Sequence, residues 1–351
     1  MGDARTDLFR WTFAALDRFG VNRALAGRAR GLGLILTLHH VRPFANGAFA
    51  PNRHLEVEPG FLDLALTRAR EAGFDFVTLD EALRRVRAGV SVRPYIHLTF
   101  DDGYRDVRDH ALPVLRKHGA PATLYIASDF AKGDARLWWL ELEAALARAS
   151  RVVVDLGRGD AAIACRTPAE KSSAFKEILR ALRKGSEERL RAETLRLAKA
   201  EGVDVTVFAR DLCMRWDELA EVAADPLVAI GAHTVSHPML GMHPEDVARD
   251  EMADSRDAIT EKLGAAPTHF AYPVGDLAAA GPREYALAEV LGFESAVTTR
   301  PGHLTKAHAG AVTALPRVSL NGHFQTTAAV DAYLSGAPFV MMAAAKRALG
   351  R

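Results

Sequence analysis

From Gly33 onward, short apolar runs alternate with stretches in which apolar residues recur every three or four positions. That alternation predicts repeated βα units around a largely parallel sheet. The expected strands are Leu34–Leu38, Phe76–Leu79, Ile96–Phe100, Ala122–Ala127, Leu227–Gly231, His269–Tyr272, Ser295–Thr299 and Leu315–Leu320. Eight such runs are enough to close a barrel. The connections read as helices: Gly60–Ala72 gathers Phe61, Leu64 and Ala65 on one face, and Pro244–Leu263 opens with Glu245 and Asp246, where a helix start favours negative charge. Gly264 ends the second helix.

Nearly a hundred residues separate the run ending at Ala127 from the one beginning at Leu227, too many for a simple crossover. Thr167-Pro168-Ala169-Glu170 is a capping-box sequence, and Phe175, Ile178, Leu179 and Leu182 follow at helical spacing, so residues 136–215 are expected to form a helical insertion. Trp138-Trp139 at its start are expected to pin it to the core. Residues 1–33 form an expected helical extension, with Leu8, Thr12, Ala15, Leu16 and Phe19 as its docking face. A main domain over 34–330 and a C-terminal helix over 331–351 complete the expected organisation.

Composition narrows the function classes. Of the 351 residues, 49% are hydrophobic, and 45 basic residues face 44 acidic ones, so a core can be buried and no global basic field exists to attract nucleic acid or an anionic membrane. Cys165 and Cys213 form neither a CxxC pair nor a disulfide framework. Arg10, Asp17 and Arg18 interrupt the N-terminal apolar pattern, and neither Gly31–Leu38 nor Pro338–Ala345 is long enough to span a bilayer. A cytoplasmic location without an integral membrane segment is therefore the expectation. No feature of the sequence reports an oligomeric state.

Chemistry concentrates where strands are expected to end, the position at which parallel α/β sheets collect functional groups. Leu98-Thr99-Phe100 runs into Asp101-Asp102-Gly103, two adjacent carboxylates before a glycine turn. An Asx turn with a helix cap explains one of these aspartates better than two. After the insertion, the run ending at Gly231 leads to His233 and His237, which converge if residues between them form one helical turn. Two imidazoles and a carboxylate form a donor set for a divalent ion that leaves positions open for water and substrate. His39-His40 follow the first strand, where an imidazole supplies a proton to a leaving group. Pro273-Val274-Gly275 brackets a tight turn able to present a backbone N–H to an oxyanion.

Thr99-Phe100-Asp101-Asp102-Gly103 and His233-Thr234-Val235-Ser236-His237-Pro238 resemble the first two signature motifs of the polysaccharide deacetylase, or NodB-homology, family over about residues 34–325. The resemblance implies a distorted (β/α)7 barrel with a helical insertion and metal-dependent removal of acetyl groups from N-acetylated sugars of the chitooligosaccharide or poly-N-acetylglucosamine type. Asp101 matches the general base, and Asp102, His233 and His237 match the ligands of a divalent ion, commonly Zn2+, with Co2+, Ni2+ and Mn2+ as alternatives. Thr37-Leu38-His39-His40-Val41 is similar to the N-terminal motif of the permuted branch, which makes His39 the catalytic acid; His40 stands where some relatives have aspartate.

The segment around Tyr272 resembles the third motif, in which many members have arginine where Ala271 stands and tyrosine where Val274 stands. The backbone N–H of Val274 suffices for the oxyanion contact. The missing arginine needs a substitute to hold the base ionised, and Arg317 is the candidate, provided its guanidinium lies within ion-pair range of the active-site carboxylates. Two other readings stay open at this point: a degenerate barrel that binds carbohydrate without catalysis, and hydrolysis of another amide or an O-acetyl ester.

Overall fold

The computed structural model describes residues 4–45, 47–157 and 159–348. Its main sheet contains β1 (Gly33–Leu38), β4 (Asp75–Phe76), β5 (Tyr95–Phe100), β6 (Ala122–Ile126), β9 (Val228–Ala232), β10 (His269–Ala271), β11 (Ser295–Val297) and β12 (Val318–Ser319). Small parallel and antiparallel pairs are formed by β2 (His40–Val41) with β3 (Glu56–Val57), and by β7 (Arg151–Asp155) with β8 (Asp160–Ala164). The order β11-β10-β9-β6-β5-β1-β12 is parallel throughout, with β4 beside the start of β5. A parallel bridge from Val297 to Leu315, just before β12, joins the two ends of that order. The result is a distorted (β/α) barrel. β1, β5 and β6 are buried along their whole length, which is why their sequences are continuous apolar runs instead of alternating ones.

Register brings the carboxyl ends of the strands to one rim. Leu38 is level with Phe100, Ile126 with Ala232, and Ala232 with Phe270. The residues that follow these positions therefore face a common mouth.

Several expected elements differ. Of the expected run Phe76–Leu79 only Phe76 is extended, in β4 with Asp75; the helix Leu79–Ala88 starts at once because Thr78 accepts a hydrogen bond from the Glu81 N–H at 3.2 Å. The insertion is not wholly helical. Between the helices Trp138–Arg148 and Pro168–Leu182 stands the β7–β8 hairpin, while the capping box at Thr167 and the buried Phe175, Ile178 and Leu182 are as expected. The N-terminal segment is two helices, Ala4–Arg18 and Val21–Ala29, broken at left-handed Gly20. Phe13 and Leu16 dock, with Phe9 beside them, whereas Leu8, Ala15 and Phe19 face outward. The expected C-terminal helix is likewise two, Thr327–Ser335 and Ala337–Ala348, bent by 67° at Gly336. No single helix among the described residues is long and apolar enough to cross a membrane.

Candidate active site

β5 delivers Asp101 and Asp102 to the rim, and both carboxylates are buried. Their side chains reach the same region because Asp102 (φ 72°) and Gly103 (φ 67°) are both left-handed, which breaks the alternation of the strand. Arg317, fully buried, lies immediately before β12 and grips Asp101 bidentately: Nη1 donates to Oδ1 and Nη2 to Oδ2, each at 2.7 Å. Its remaining donors reach the Thr298 carbonyl and Thr99 Oγ1, both at 3.0 Å. Burial alone would raise the Asp101 pKa, but the charge of Arg317, with His233 and His39 nearby, holds it well below the usual carboxylate range. Arg317 thus lies within ion-pair range of one of the two carboxylates, the condition set for it in the sequence.

Asp102 has no such partner. Burial, reinforced by the neighbouring Asp101 charge, pushes its carboxyl up to about 8. Facing it are His233 Nε2 at 3.5 Å and His237 Nε2 at 3.4 Å. Neither contact is a hydrogen bond, and Asp102 Oδ1 is a buried acceptor without any hydrogen-bond partner. The facing atoms of the three residues lie within 4.8 Å of one another. A buried carboxylate oxygen left unpaired between two imidazoles is costly on its own and satisfied by a divalent cation, so the donor set fits a metal ion.

The orientation of the imidazoles is built in. His233 Nδ1 donates to the Ala271 carbonyl at 2.6 Å, which leaves Nε2 to face Asp102 and His237. Ala271 therefore contributes a carbonyl where the family pattern has a cationic side chain. Residues 233–237 do not form the expected helical turn. They form an irregular loop with left-handed Thr234 (φ 69°) and His237 (φ 59°), in which Thr234 Oγ1 bonds the His233 carbonyl and accepts from His237 N–H at 3.0 Å. Glu251 receives Val235 N–H, Ser236 N–H and Ser236 Oγ at 2.8, 2.9 and 2.6 Å. From the helix Glu187–Ala200, Arg191 donates to the Ser236 and His237 carbonyls, and Glu187 accepts from Met239 N–H at 2.6 Å. Sequence reasoning missed Glu251, Glu187 and Arg191, since each lies on a helix whose local pattern reads as solvated surface.

His39 follows β1, with Nε2 3.9 Å from Asp101 Oδ2; its side chain is 21% exposed against 3% for Asp101. Burial lowers its pKa to about 3, so it is neutral at physiological pH in the free protein. His40 points elsewhere: Nδ1 pairs with Asp106 Oδ2 at 2.6 Å, and the ring stacks on Tyr104, a structural role. Val274 sits at φ 61°, a strained conformation for a β-branched residue. Its carbonyl accepts from Thr299 Oγ1 at 2.8 Å, while its N–H makes no hydrogen bond with any described residue. The four non-glycine residues with positive φ among those described are Asp102, Thr234, His237 and Val274, and all four belong to this rim.

His39, Asp102, His237, Val274 and Trp139 line a cleft of about 310 Å3. Trp138 and Trp139 are buried, as pinning residues should be, yet both also form cleft wall, with the Trp139 ring 5.2 Å from that of His237. Leu179 and Arg183, the latter ion-paired with Asp276 at 2.7 Å, bring the insertion to the same cleft.

A family profile described as polysaccharide deacetylase matches residues 89–151 and 184–292, skipping most of the hairpin and the helix Pro168–Leu182. His39 and Arg317 lie outside the matched segments. Among solved structures, IcaB from Ammonifex degensii superposes with a TM-score of 0.54 at 19% identity, covering 87% of this chain and 97% of its own. The deacetylase PplD of Streptococcus pyogenes, solved in complex with acetate, gives 0.53 at 19%, covering 82% and 92%. A de-N-acetylase from Aggregatibacter actinomycetemcomitans gives 0.52 at 13%, covering 85% and 98%. No curated protein sequence matches the chain.

Proposed function

Because the chain belongs to the polysaccharide deacetylase family and is a hydrolase of carbon–nitrogen bonds other than peptide bonds, we propose that it hydrolyses the acetamido group of an N-acetylated oligo- or polysaccharide of the chitooligosaccharide or poly-N-acetylglucosamine type, releasing acetate. The observation that carries this reading is the unpaired, buried Asp102 Oδ1 between His233 and His237, directly beside a carboxylate that Arg317 keeps ionised. Asp102, His233 and His237 would hold a divalent cation, most simply zinc, which when bound supplies Lewis acidity to the acyl carbonyl and acidifies water.

The remaining steps belong to the chain itself. Asp101, ionised and locked in orientation by two hydrogen bonds, accepts a proton from the attacking water. The Val274 N–H, held outward by its left-handed backbone, donates to the developing oxyanion. His39 is neutral before reaction, so the proton it gives to the departing sugar nitrogen is one acquired during turnover. Asp101 Oδ2, 3.9 Å from His39 Nε2, is the nearby source. The water proton thereby ends on the amine, and both side chains return to their starting states. Trp138, Trp139 and Leu55 supply apolar surface on which a sugar ring packs.

The test is acetate release from a panel of N-acetylated and O-acetylated oligosaccharides by the metal-loaded protein, with a chelated control. Metal-dependent release from the N-acetylated members supports the reading. Release confined to O-acetyl esters, or undiminished by chelation, refutes it.

A further inference from the structure

The first helix carries two apolar faces, and only one of them is used by the barrel. Opposite the docked Phe9, Phe13 and Leu16 runs a second stripe, Leu8, Trp11, Ala15 and Phe19, at spacings of three and four. Leu8, Trp11 and Phe19 are 65%, 76% and 75% exposed, which for three large side chains on one stripe is not the scatter of an ordinary surface. Charge is also asymmetric here. The first 30 residues hold six arginines against three aspartates, although the whole chain is nearly neutral. Arg18, Arg23 and Arg28 are exposed and make no ion pair with any described residue.

Behind the end of that stripe, the two N-terminal helices and the helices Pro59–Glu71 and Thr327–Ser335 border an open cavity of about 490 Å3. Arg18, Arg23, Arg30 and Arg68 line it, against Asp17 and Asp331. Arg68 is committed to Asp331 through two hydrogen bonds and Arg30 Nε donates to the Leu334 carbonyl, whereas Arg18 and Arg23 make no hydrogen bond or ion pair with any described residue. Asn22, only 7% exposed and also lining the cavity, has an amide nitrogen without a hydrogen-bond partner.

We propose that this face docks on an anionic phospholipid bilayer, with Leu8, Trp11 and Phe19 entering the interfacial region and Arg18, Arg23 and Arg28 meeting headgroup phosphates, one of them seated at the mouth of the arginine-lined cavity. An amphipathic helix with an exposed tryptophan and flanking arginines has the chemistry of a surface-lying anchor. The charge complementarity selects an anionic bilayer over an acidic or neutral protein partner, because a flat layer of phosphates engages all three unpaired arginines at once. The proposal is independent of the deacetylase reading, since no catalytic-cleft residue takes part.

Full-length protein is sedimented with vesicles of phosphatidylcholine alone and of phosphatidylcholine containing about a third phosphatidylglycerol, at about 0.1 M salt. The expected result is a bound fraction on the order of tenfold higher on the anionic vesicles, with a blue shift of tryptophan fluorescence that Trp11→Phe removes. Trp11→Glu with Phe19→Glu, and separately Arg18→Glu with Arg23→Glu, are expected to reduce binding to the neutral-vesicle level while melting as wild type. Equal binding to both vesicle types, or undiminished binding by both double variants, overturns the proposal. So does a dimer that Trp11→Glu with Phe19→Glu splits, which makes a second copy the occupant, or tight binding of soluble glycerol phosphate that abolishes vesicle binding, which makes the cavity a free-phosphate site.

Discussion

Arg317→Met isolates the most consequential contact in the cleft. The substitution keeps volume and apolar packing but removes the two hydrogen bonds and the charge that hold Asp101 ionised. Asp102 shows what a carboxylate does at this depth without an arginine: it is equally buried, and its pKa is pushed up to about 8. Losing the Arg317 charge moves Asp101 in the same direction, so its ionised fraction at neutral pH falls and kcat/KM is expected to drop there by about tenfold or more. Because the deprotonated form is the active one, the loss is expected to shrink toward pH 9. Stability in the chelated protein carries the opposite sign from wild type. In wild type the Asp101 pKa is depressed, so its contribution exists above the unfolded value near 4 and disappears as pH falls through the folded value. In Arg317→Met the folded pKa is raised, so the variant loses stability as pH rises above the unfolded value near 4, by roughly 3–5 kcal/mol, the cost of stranding one member of a buried ion pair. Urea unfolding across that pH range and a kcat/KM profile from pH 5 to 9 measure both. A wild-type pH profile together with a pH-independent stability difference would refute the assigned role of Arg317.

Three further outcomes are expected. Asp101→Asn retains bound metal but loses acetate release by a factor of about 100 or more, whereas His233→Ala loses both; metal analysis after dialysis and acetate assay separate them. Glu251→Ala removes three hydrogen bonds from the loop carrying His237 and is expected to weaken metal affinity about 10- to 100-fold without touching a ligand, as read by competition with a chromogenic chelator. Val274→Gly suits φ 61° and keeps the backbone N–H, so turnover is expected to stay within a few-fold of wild type, with relief of roughly 1–3 kcal/mol of backbone strain set against the lost side-chain packing; a collapse in turnover would remove the N–H from the mechanism.

The parts legible in the sequence are those governed by local pattern. Continuous apolar runs located β1, β5 and β6 because those strands are buried on both faces, and polar residues directly after them located Asp101, Asp102 and His39. Arg317 is legible only through charge accounting, as a cation to stand in for the one absent at Ala271. The His233–His237 geometry was not legible, since left-handed Thr234 and His237 are chosen by tertiary hydrogen bonds to Glu251 and Arg191 and not by the residues' own preferences. The β7–β8 hairpin escaped because Val152 and Val154 alternate with exposed positions over only five residues, within a segment whose other elements are helices. The outward stripe of the first helix was misassigned because Leu8–Phe19 and Phe9–Leu16 are both acceptable apolar faces, and only packing against Phe324 and Tyr333 decides between them.

β12 pairs with β1, Leu36 level with Val318 and Thr37 with Ser319, so the last strand of the barrel lies beside the first. The guanidinium that neutralises Asp101 therefore arrives from a residue more than two hundred positions downstream. A chain emerging from synthesis can form β5 and bury Asp101 long before Arg317 exists, and until β12 docks that carboxylate has no counter-charge. Barrel closure and formation of the Arg317–Asp101 pair are then expected to be one step of high contact order, slow and late in folding. The pairing of Asp101 becomes a report that the last strand has joined the first.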